Sequence, residues 1–478
     1  MLQTISLFAP ELLLAITASQ LLGYGAFAKK DRAGLIRNTA IGILLLFAFS
    51  GFLFGMPEGT AFNGALIIDT YSHYVKMIIG LAAAAALLFS SSFLKSEKLD
   101  KYEYSVLTLY AVLGMSIMAS ANNLLSIYIG IEMQSLALYV LAAFNRDSLR
   151  ATEAGLKYFV LGALSSGLLL YGLSMIYGFT GSLDFAQIAN SIEANGVSSG
   201  VVIGMVFMLC GLGFKISAAP FHMWTPDVYE GAPTPVTGFF AGAPKFAAMA
   251  LLARILVGPF GDMVEAWQYA IIAISLMSMF VGAIGALMQS NIKRLMAYSS
   301  IANMGYALVA LAAGTQAGVS GLLLFMSIYV LTNIGVFACI LQMRLRGGMV
   351  EQISDLAGLS KSHKGLAITL TIFMLSLAGI PPLLGFFGKV FAFYPAIEAG
   401  LIWLVVAALI ASVIGCFYYL RIIKTMWFDE EKHSFVQGDG SLRFLSTVAA
   451  WLILPLLILP VFALPSRGFI AQAAASLF

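Results

Sequence analysis

Three lysines and one glutamate stand within long apolar stretches of this chain, where charged side chains are rare. Lys215, Lys245 and Lys389 are flanked by apolar and small residues, and Glu132 lies in the segment IGIEMQSLALYVL. A charge at the centre of a bilayer costs from about 3 to more than 10 kcal/mol, so it persists only beside a partner, water or a bundle interior. Burial disfavours the charged form of such groups, and an opposite charge favours it. These residues therefore predict reversible proton binding inside a membrane.

Two of the lysines lie beside helix-breaking prolines. Lys215 precedes Pro220 in GFKISAAPF, and Lys389 follows Pro381 and Pro382 in AGIPPLLGFFGK. A proline leaves backbone carbonyls without helical partners, and inside a membrane these must be satisfied by water or side chains. We therefore expect water to reach both lysines, and their matched positions favour a shared role.

The other polar candidates have competing interpretations. Lys245, in TGFFAGAPKFAAMALL, is too far from either end of its span to reach the surface easily. His222, just past the first break, could relay protons between Lys215 and the cytoplasmic side, or it is a loop histidine without a role. Lys157, in EAGLKYFVLG, is either an anchor at the cytoplasmic interface or a partner of Glu132, and we favour the partner role. For the whole set, the alternative is interfacial lysines and purely structural ion pairs.

The composition predicts a membrane protein to hold these residues. The chain has 478 residues, of which 60% are hydrophobic and 10% charged. Its mean hydropathy is +0.93. Apolar runs long enough to cross about 30 Å of hydrocarbon recur along the whole chain, and runs such as 401–419 are apolar on every face, unlike barrel strands. The predicted fold is therefore all-α, a polytopic membrane protein with about 14 transmembrane helices in the lipid bilayer.

The order of the spans suggests an internal repeat. The predicted spans are 5–27, 36–55, 73–94, 103–121, 123–144, 153–178, 199–220, 233–257, 265–289, 293–313, 316–343, 365–394, 400–427 and 445–466. Spans four to eight and nine to thirteen begin on opposite sides, and the fourth span of each set is broken, as in inverted-repeat transporters. We expect three N-terminal helices (1–102), two inverted five-helix units with discontinuous helices 7 and 12 (103–258 and 259–428), and a cytoplasmic loop with the last helix (429–478).

The distribution of positive charge predicts the orientation. Loops after odd-numbered spans hold most of the 26 Lys and Arg residues, including the clusters at 29–37 and 95–101. The alternate loops are predicted to hold only Lys76, Arg254 and Arg467. Because cytoplasmic loops are enriched in Lys and Arg, both termini are expected on the outer side of the membrane.

Signatures of redox or nucleotide chemistry are missing from the sequence. It has no nucleotide-binding glycine motif, and Cys210, Cys339 and Cys416 lack the spacing of a metal or iron–sulfur site. None of the four histidines lies in the middle of a span, where it could bind haem. The chain is therefore predicted to hold no cofactor or metal. Its net charge of +3 is spread over many loops, so nucleic acid is not an expected partner.

Three long motifs resemble those of a known family. GFKISAAPFHMWTPDVYEGAPTPVTGFFAGAPK, QSNIKRLMAYSSIANMGY and LAGIPPLLGFFGK resemble the antiporter-like membrane subunits of bacterial respiratory complex I, the proton-pumping NADH:quinone oxidoreductase. The resemblance covers essentially the whole chain. It implies a translocase subunit in the bacterial inner membrane, with periplasmic termini, that moves protons while other subunits transfer electrons from NADH to quinone. FMN, iron–sulfur clusters and quinone would belong to partner subunits, namely other membrane subunits and the peripheral NADH-oxidising arm.

The resemblance also implies roles for single residues. Glu132 and Lys215 would form the pair of the fifth and seventh helices, Lys245 the central relay, and Lys389 the terminal site. Asn303 departs from the family pattern, because relatives often carry a histidine there. The alternatives are a subunit of a stand-alone multi-subunit Na⁺/H⁺ antiporter, which would have the same core lysines, and a membrane scaffold that carries no protons.

Overall fold

The described part of the chain is built from helices, because apolar segments in a membrane must satisfy their backbone hydrogen bonds internally. The computed structural model describes residues 7–346, 348–433, 435–436, 438–454 and 468–478. Most of the predicted span at 445–466, together with the predicted outer-loop residue Arg467, lies outside these residues.

Helices alternate with short connections along the chain. In the first half they are α1 (Ala9–Phe27), α2 (Ala33–Leu53), α3 (Thr70–Ser96), α4 (Tyr102–Ala119), α5 (Leu124–Ala142), α6 (Leu149–Thr180), α7 (Phe185–Asn195), α8 (Ser199–Lys215), α9 (Trp224–Gly231), α10 (Thr234–Ala241) and α11 (Ala243–Val257). In the second half they are α12 (Val264–Leu287), α13 (Ile292–Ala312), α14 (Gln316–Ile340), α15 (Leu359–Ser362), α16 (Lys364–Ala378), α17 (Leu384–Glu398), α18 (Ile402–Phe428), α19 (Gly440–Ile453) and α20 (Phe469–Ala475).

Two small antiparallel hairpins lie between helices. β1 (Gly59–Ala61) pairs with β2 (Leu66–Ile68) before α3, and β3 (Arg344–Leu345) pairs with β4 (Gly348–Met349) after α14. Within the described ranges, ten helical segments are long and apolar enough to cross a membrane, and α8, α16 and α19 are shorter apolar helices. The all-helical, multi-pass class is confirmed, whereas the count of 14 stays a prediction.

Both predicted helix breaks are present. α8 ends at Lys215 and α9 begins at Trp224, so Pro220 lies in the gap. α16 ends at Ala378 and α17 begins at Leu384, on either side of the second proline pair. These breaks place the ends of short helices, and the lysines beside them, in the interior of the bundle.

A third interruption was not predicted. The span expected to run continuously over 233–257 is divided at Gly242, where φ is −108° and ψ is −99°, into α10 and α11. Pro244 is one of the first two residues of α11, and a proline cannot donate the backbone bond that would continue the preceding helix. Lys245 therefore lies just after a break. Like Lys215 and Lys389, it belongs to a discontinuous helix.

Small residues allow close packing of the helices that carry the site residues. A Cβ atom on Gly172 of α6 would lie 2.6 Å from the carbonyl oxygen of Gly204 on α8. A Cβ atom on Gly282 of α12 would lie 2.4 Å from the backbone nitrogen of Ala302 on α13. Such contacts are typical of membrane helices, whose association depends on close packing more than on the hydrophobic effect.

The prediction that Lys76 and Arg254 lie in outer loops is wrong. Lys76 is a buried residue of α3, and its Nζ lies 2.6 Å from Oε1 of Glu11 on α1. Arg254 is buried in the last turn of α11 and donates to both carboxylate oxygens of Asp69, at 2.8 and 2.9 Å. Each cation lies inside the bundle, where it pairs with a carboxylate that is distant in sequence.

Candidate proton-transfer site

Lys215 occupies the end of α8 and directs its ammonium group at α5. Its Nζ donates to Ser135 Oγ at 2.9 Å and to Tyr139 Oη at 3.4 Å. The lysine is buried, and its Nζ lies 5.8 Å from the centroid of the Tyr139 ring. Hydroxyl groups both donate and accept hydrogen bonds, so they suit a position beside a group that gains and loses a proton.

Glu132 lies on the same face of α5 as these hydroxyl groups. Ser135 and Tyr139 follow it by three and seven residues, which places the three side chains along one side of the helix. Oε1 of Glu132 accepts a hydrogen bond from Ser166 of α6. The nearest partners of the Lys215 ammonium are thus hydroxyls, and the predicted pair is connected along the face of α5 and not by a direct bond.

Glu132 is less buried than the sequence suggested. The side chain is partly exposed, whereas Glu11 of α1 is fully buried. Glu11 is therefore the more deeply buried acid of the two. Its helix presents Leu125, Ile129 and Leu136 outward, so the glutamate lies at the edge of an exposed apolar face.

Lys245 is almost completely buried near the start of α11. Its exposed fraction is 1%, and Nζ donates to Ser300 Oγ on α13 at 2.5 Å. Tyr329 of α14 donates to the same serine oxygen at 2.6 Å. The ammonium group also lies 5.0 Å from the centroid of the Tyr229 ring, which favours a cation. The second half of the chain thus supplies the hydrogen-bonding partner of a lysine in the first half.

Lys389 satisfies backbone groups that the second helix break leaves free. Its Nζ donates to the carbonyl oxygens of Leu377 and Ala378, at 3.1 and 3.0 Å, and to Ser412 Oγ at 2.8 Å. It lies 5.0 Å from the centroid of the Tyr306 ring. Without the lysine, the carbonyl of Leu377 would lack a partner among the described residues and that of Ala378 would keep only the thiol of Cys416, so the lysine itself fulfils the requirement expected from the prolines.

Polar side chains of α13 line the space between Lys245 and Lys389. Ser299 Oγ is 2.5 Å from Tyr419 Oη, and Asn303 donates to the carbonyl oxygen of Ser299 at 2.8 Å. Ser299, Ser300, Asn303 and Tyr306 form one polar set on α13, and Tyr419 of α18 contacts it. Sequence reasoning considered only Asn303, although polar residues three and four apart in SSIANMGY were a signal for the whole set.

Lys157 does not pair with Glu132 as expected. Its Nζ lies 2.8 Å from Glu153 Oε1 and 2.9 Å from Asp227 Oδ2, and its side chain is 42% exposed. The favoured prediction of a Glu132 partner is therefore wrong, because the carboxylates of α6 and α9 are within reach of the lysine. The residue belongs to a surface network.

His222 lies partly buried in the loop between α8 and α9. Its carbonyl oxygen accepts a bond from the backbone nitrogen of Thr225 at 2.9 Å. Nδ1 of the ring has no hydrogen-bond partner within the described part of the chain, and the bonds of Lys215 go to α5 instead. A relay through this histidine stays a prediction.

An ionic network joins the two halves of the chain at the predicted cytoplasmic side. Glu351, in the loop after α14, lies 2.7 Å from Lys293 Nζ and 2.9 Å from Arg150. Arg294 pairs with Asp227 of α9 at 2.6 Å. Burial alone would raise the pKa of the Glu351 carboxyl, but Lys293 and Arg150 hold that pKa below its usual range.

Comparison with known proteins identifies the family. The model of the family described as "NADH:quinone oxidoreductase/Mrp antiporter, TM" matches residues 121–415. The chain is 57% identical to NADH-quinone oxidoreductase subunit N of Parvibaculum lavamentivorans, over 90% of this chain and 89% of the relative. It is 55% identical to the subunit N of Maricaulis maris, over 96% of this chain and 95% of the relative.

Solved structures agree with this assignment. A chain of respiratory complex I from Thermus thermophilus with bound aureothin is 34% identical, with a TM-score of 0.83 over 96% of this chain and 99% of that one. A chain of the Mrp complex from Dietzia, at 20% identity, has a TM-score of 0.86 over 100% of this chain and 98% of that one and shares the fold. This chain belongs to the NADH:quinone oxidoreductase/Mrp antiporter transmembrane family and, within it, to the subunit N group.

Proposed function

We propose that this chain is a membrane-arm subunit of NADH:quinone oxidoreductase that translocates protons, coupled to electron transfer from NADH to quinone in other subunits. The observation that carries the proposal is the series of membrane-embedded charges in a chain so similar to subunit N proteins. Each of the three lysines bonds to a serine hydroxyl, which provides a group through which a proton can pass. Its partners are the other membrane subunits and, through them, the peripheral arm.

Each charged residue of the site has its own role in proton transfer along the bundle. Glu132 and Lys215 form the charge pair of the first unit, and their approach or separation changes the affinity of the lysine for its proton. Lys245 is the central relay, because its partner Ser300 belongs to the second unit. Lys389 is the terminal site at the second break. His222 relays protons between Lys215 and the predicted cytoplasmic side.

The proposed architecture has 14 transmembrane helices with both termini periplasmic. Three N-terminal helices (1–102) precede two inverted five-helix units (103–258 and 259–428), and 429–478 form a cytoplasmic loop and the last helix. The positive charges of alternate loops and the equivalent breaks before α9 and α17 support this arrangement.

The redox cofactors are assigned to the partner subunits. FMN, the iron–sulfur clusters and quinone would act there, while this chain contributes only groups that bind protons. Among the described residues no group of three or more His, Cys, Asp or Glu side chains could hold a metal ion.

A stand-alone Na⁺/H⁺ antiporter is the second candidate. The similarity in fold to the Mrp complex favours it, but that similarity is at 20% identity. The identities to subunit N proteins are much higher and span nearly the whole of both chains. The complex I function is therefore the better supported one.

The first test is purification of the tagged chain in mild detergent. Co-purification with flavin, iron–sulfur absorbance and NADH:quinone reductase activity is expected. Recovery with only other hydrophobic chains, and without redox centres, would instead support the antiporter.

The second test is Lys245→Ala in the assembled complex. We expect normal assembly and fewer protons moved per NADH oxidised, because alanine cannot hold the proton at the central relay. Proton uptake by membrane vesicles, measured beside NADH oxidation, gives this ratio, and the exposed Lys95→Ala is the matched control. An unchanged ratio in Lys245→Ala would remove the central relay from the proposal.

A further inference from the structure

A buried ion pair connects two of the N-terminal helices, outside both five-helix units. Lys76 of α3 and Glu11 of α1 are joined at 2.6 Å, with 5% and 0% of their side-chain surfaces exposed. Ser116 of α4 donates to the same glutamate oxygen, Oε1, at 2.6 Å. The other oxygen, Oε2, is buried without a hydrogen-bond partner among the described residues. Three helices thus contribute an ammonium group, a hydroxyl group and a carboxylate to one point.

Stability alone does not explain why this ion pair is present. Removing two charges from water costs several kcal/mol for each ion, and apolar residues of similar volume often stabilise a buried site equally well. Lys76 lies about 9 Å along α3 from the helix start, so its long side chain could extend to the membrane surface. It turns inward to Glu11 instead. Ionisable residues at such positions in membrane proteins usually have a functional role.

The pair has the same chemical components as the first-unit site. There, Glu132 accepts a bond from Ser166, and Lys215 donates to Ser135. At Glu11 a carboxylate again accepts from a serine, Ser116 of α4, and a lysine lies beside it, but here the two charges touch directly. A proton can move from the Lys76 ammonium to the carboxylate by breaking one N–H bond and forming one O–H bond. Both groups are then neutral.

His73 lies between the pair and the outer loop. It precedes Lys76 by one turn of α3 and is 9% exposed. Its Nε2 is 3.0 Å from the carbonyl oxygen of Pro57, in the loop that leads into β1. A histidine exchanges protons near neutral pH, and this loop is on the predicted outer side. The ring therefore occupies the short path between the buried pair and the aqueous phase.

Charged and polar residues near this site connect α3 to α11, the helix that carries Lys245. Asp69, at the start of α3, pairs with Arg254 of α11, the helix that carries Lys245. Tyr71 of α3 also donates to the carbonyl oxygen of Ala250 on α11, at 2.8 Å. On the outer side, the carboxylate of Glu58 accepts a bond from Thr70, at the start of α3. The titratable and charged groups around Lys76 are thus Glu11, His73, Asp69, Arg254 and Glu58.

We infer that Glu11, Lys76 and Ser116 form a further proton-binding site in the outer half of the membrane, with His73 as its connection to the outer aqueous phase. This inference rests on the proposed function, since it adds a proton site to the same translocation machinery. The ligand is a proton, exchanged between the pair and the outer phase through the histidine ring.

The test is the double variant Glu11→Gln/Lys76→Met in the complete complex, in membrane vesicles. It removes both charges and nearly preserves the volume of the pair, so a structural role predicts normal pumping. A proton-binding role predicts a lower ratio of protons moved to NADH oxidised. The matched control is Arg37→Met/Asp100→Asn, which neutralises another ion pair, between α2 and the loop after α3, joined at 2.6 Å, and should leave the ratio unchanged.

Each outcome is decisive. An unchanged ratio in the first double variant, with a lowered ratio in Lys245→Ala, overturns this inference and leaves the proposed function intact. Unchanged ratios in both overturn the proposed function as well. If the neutral pair prevents assembly, His73→Gln, which leaves the ion pair intact, gives the test. A lowered ratio in His73→Gln supports the site and its connection to the outer phase, and an unchanged ratio overturns the inference.

Discussion

The membrane lysines differ in how many groups accept hydrogen bonds from them. Lys389 has two carbonyl oxygens and one hydroxyl, and Lys215 has two hydroxyls. Lys245 has one, the hydroxyl of Ser300, in the described part of the chain. An ammonium group with a single acceptor depends strongly on it, because a buried charge without a partner is costly. The central lysine is therefore the one most sensitive to a change in its surroundings.

Replacing Ser300 should affect proton transfer strongly. In Ser300→Ala, Lys245 loses its acceptor, and a hydrogen bond to a charged group is worth about 1.5–3 kcal/mol. We expect coupled proton transfer to slow by about tenfold or more, with normal assembly. The rate of proton uptake by vesicles that oxidise NADH measures the effect. Ser275→Ala is the control, because within the described residues this buried serine bonds only the carbonyl oxygen of Gly305; an equal effect in both variants would contradict the role of Ser300.

At the scale of the elements, the positions of the lysines depend on how closely neighbouring helices approach. α8 carries Lys215 and packs against α6 through Gly172 and Gly204, while the serine that receives its bond lies on α5. A larger distance between α6 and α8 would withdraw the ammonium group from that serine. The glycine contact thus helps to set the geometry of the first charge pair.

Adding a methyl group at this contact should disturb the first unit. In Gly172→Ala the new Cβ would lie 2.6 Å from both Gly204 O and Met208 N, which are backbone atoms that cannot move easily. Overpacking of this kind costs about 1–3 kcal/mol, so we expect less assembled complex and a lower melting temperature. Thermal unfolding of the purified complex measures it. Gly178→Ala, in the same helix with open space around it, should behave like the wild type.

At the scale of the whole molecule, the two proposed five-helix units are joined on the predicted cytoplasmic side by ion pairs. Glu351 follows α14, yet it pairs with Lys293 of α13 and with Arg150 of α6. Lys293 is 2% exposed and also donates to the carbonyl oxygen of Ala232. The network therefore holds the loop after α14 against both units.

The stability of this connection should depend on pH. The folded-state pKa of Glu351 is lowered, so its contribution is fully present above the unfolded-state pKa and is lost as pH falls through the folded-state pKa. We expect Glu351→Gln to lower stability by about 1–3 kcal/mol at neutral pH and to weaken the acid dependence. Melting temperatures of the complex at several pH values measure both effects. The exposed Glu193→Gln is the control, and an identical acid dependence in wild type and Glu351→Gln would contradict the assignment.

The sequence alone determined the class of protein, the predicted proton-binding lysines and two of the helix breaks. Hydropathy and proline act locally, so the breaks near Pro220 and Pro381 and the burial of Lys215 and Lys389 could be inferred without knowledge of neighbouring helices. The similarity of long motifs gave the family, which the comparisons confirm. The break at Gly242 does not follow from the sequence, because one proline near a glycine is also compatible with a continuous span.

Only the tertiary structure decided which side chains meet. The sequence predicts Lys76 in an outer loop, but in the structure it pairs with Glu11 of α1. Lys157 pairs with carboxylates of α6 and α9, and not with Glu132. The serine that receives the bond of Lys245 is likewise distant in sequence. Periodicity shows which face of a helix is polar, but it does not show which other helix packs against that face. Hydrogen-bond partners in a membrane bundle therefore follow from the packing of helices that are far apart in the chain.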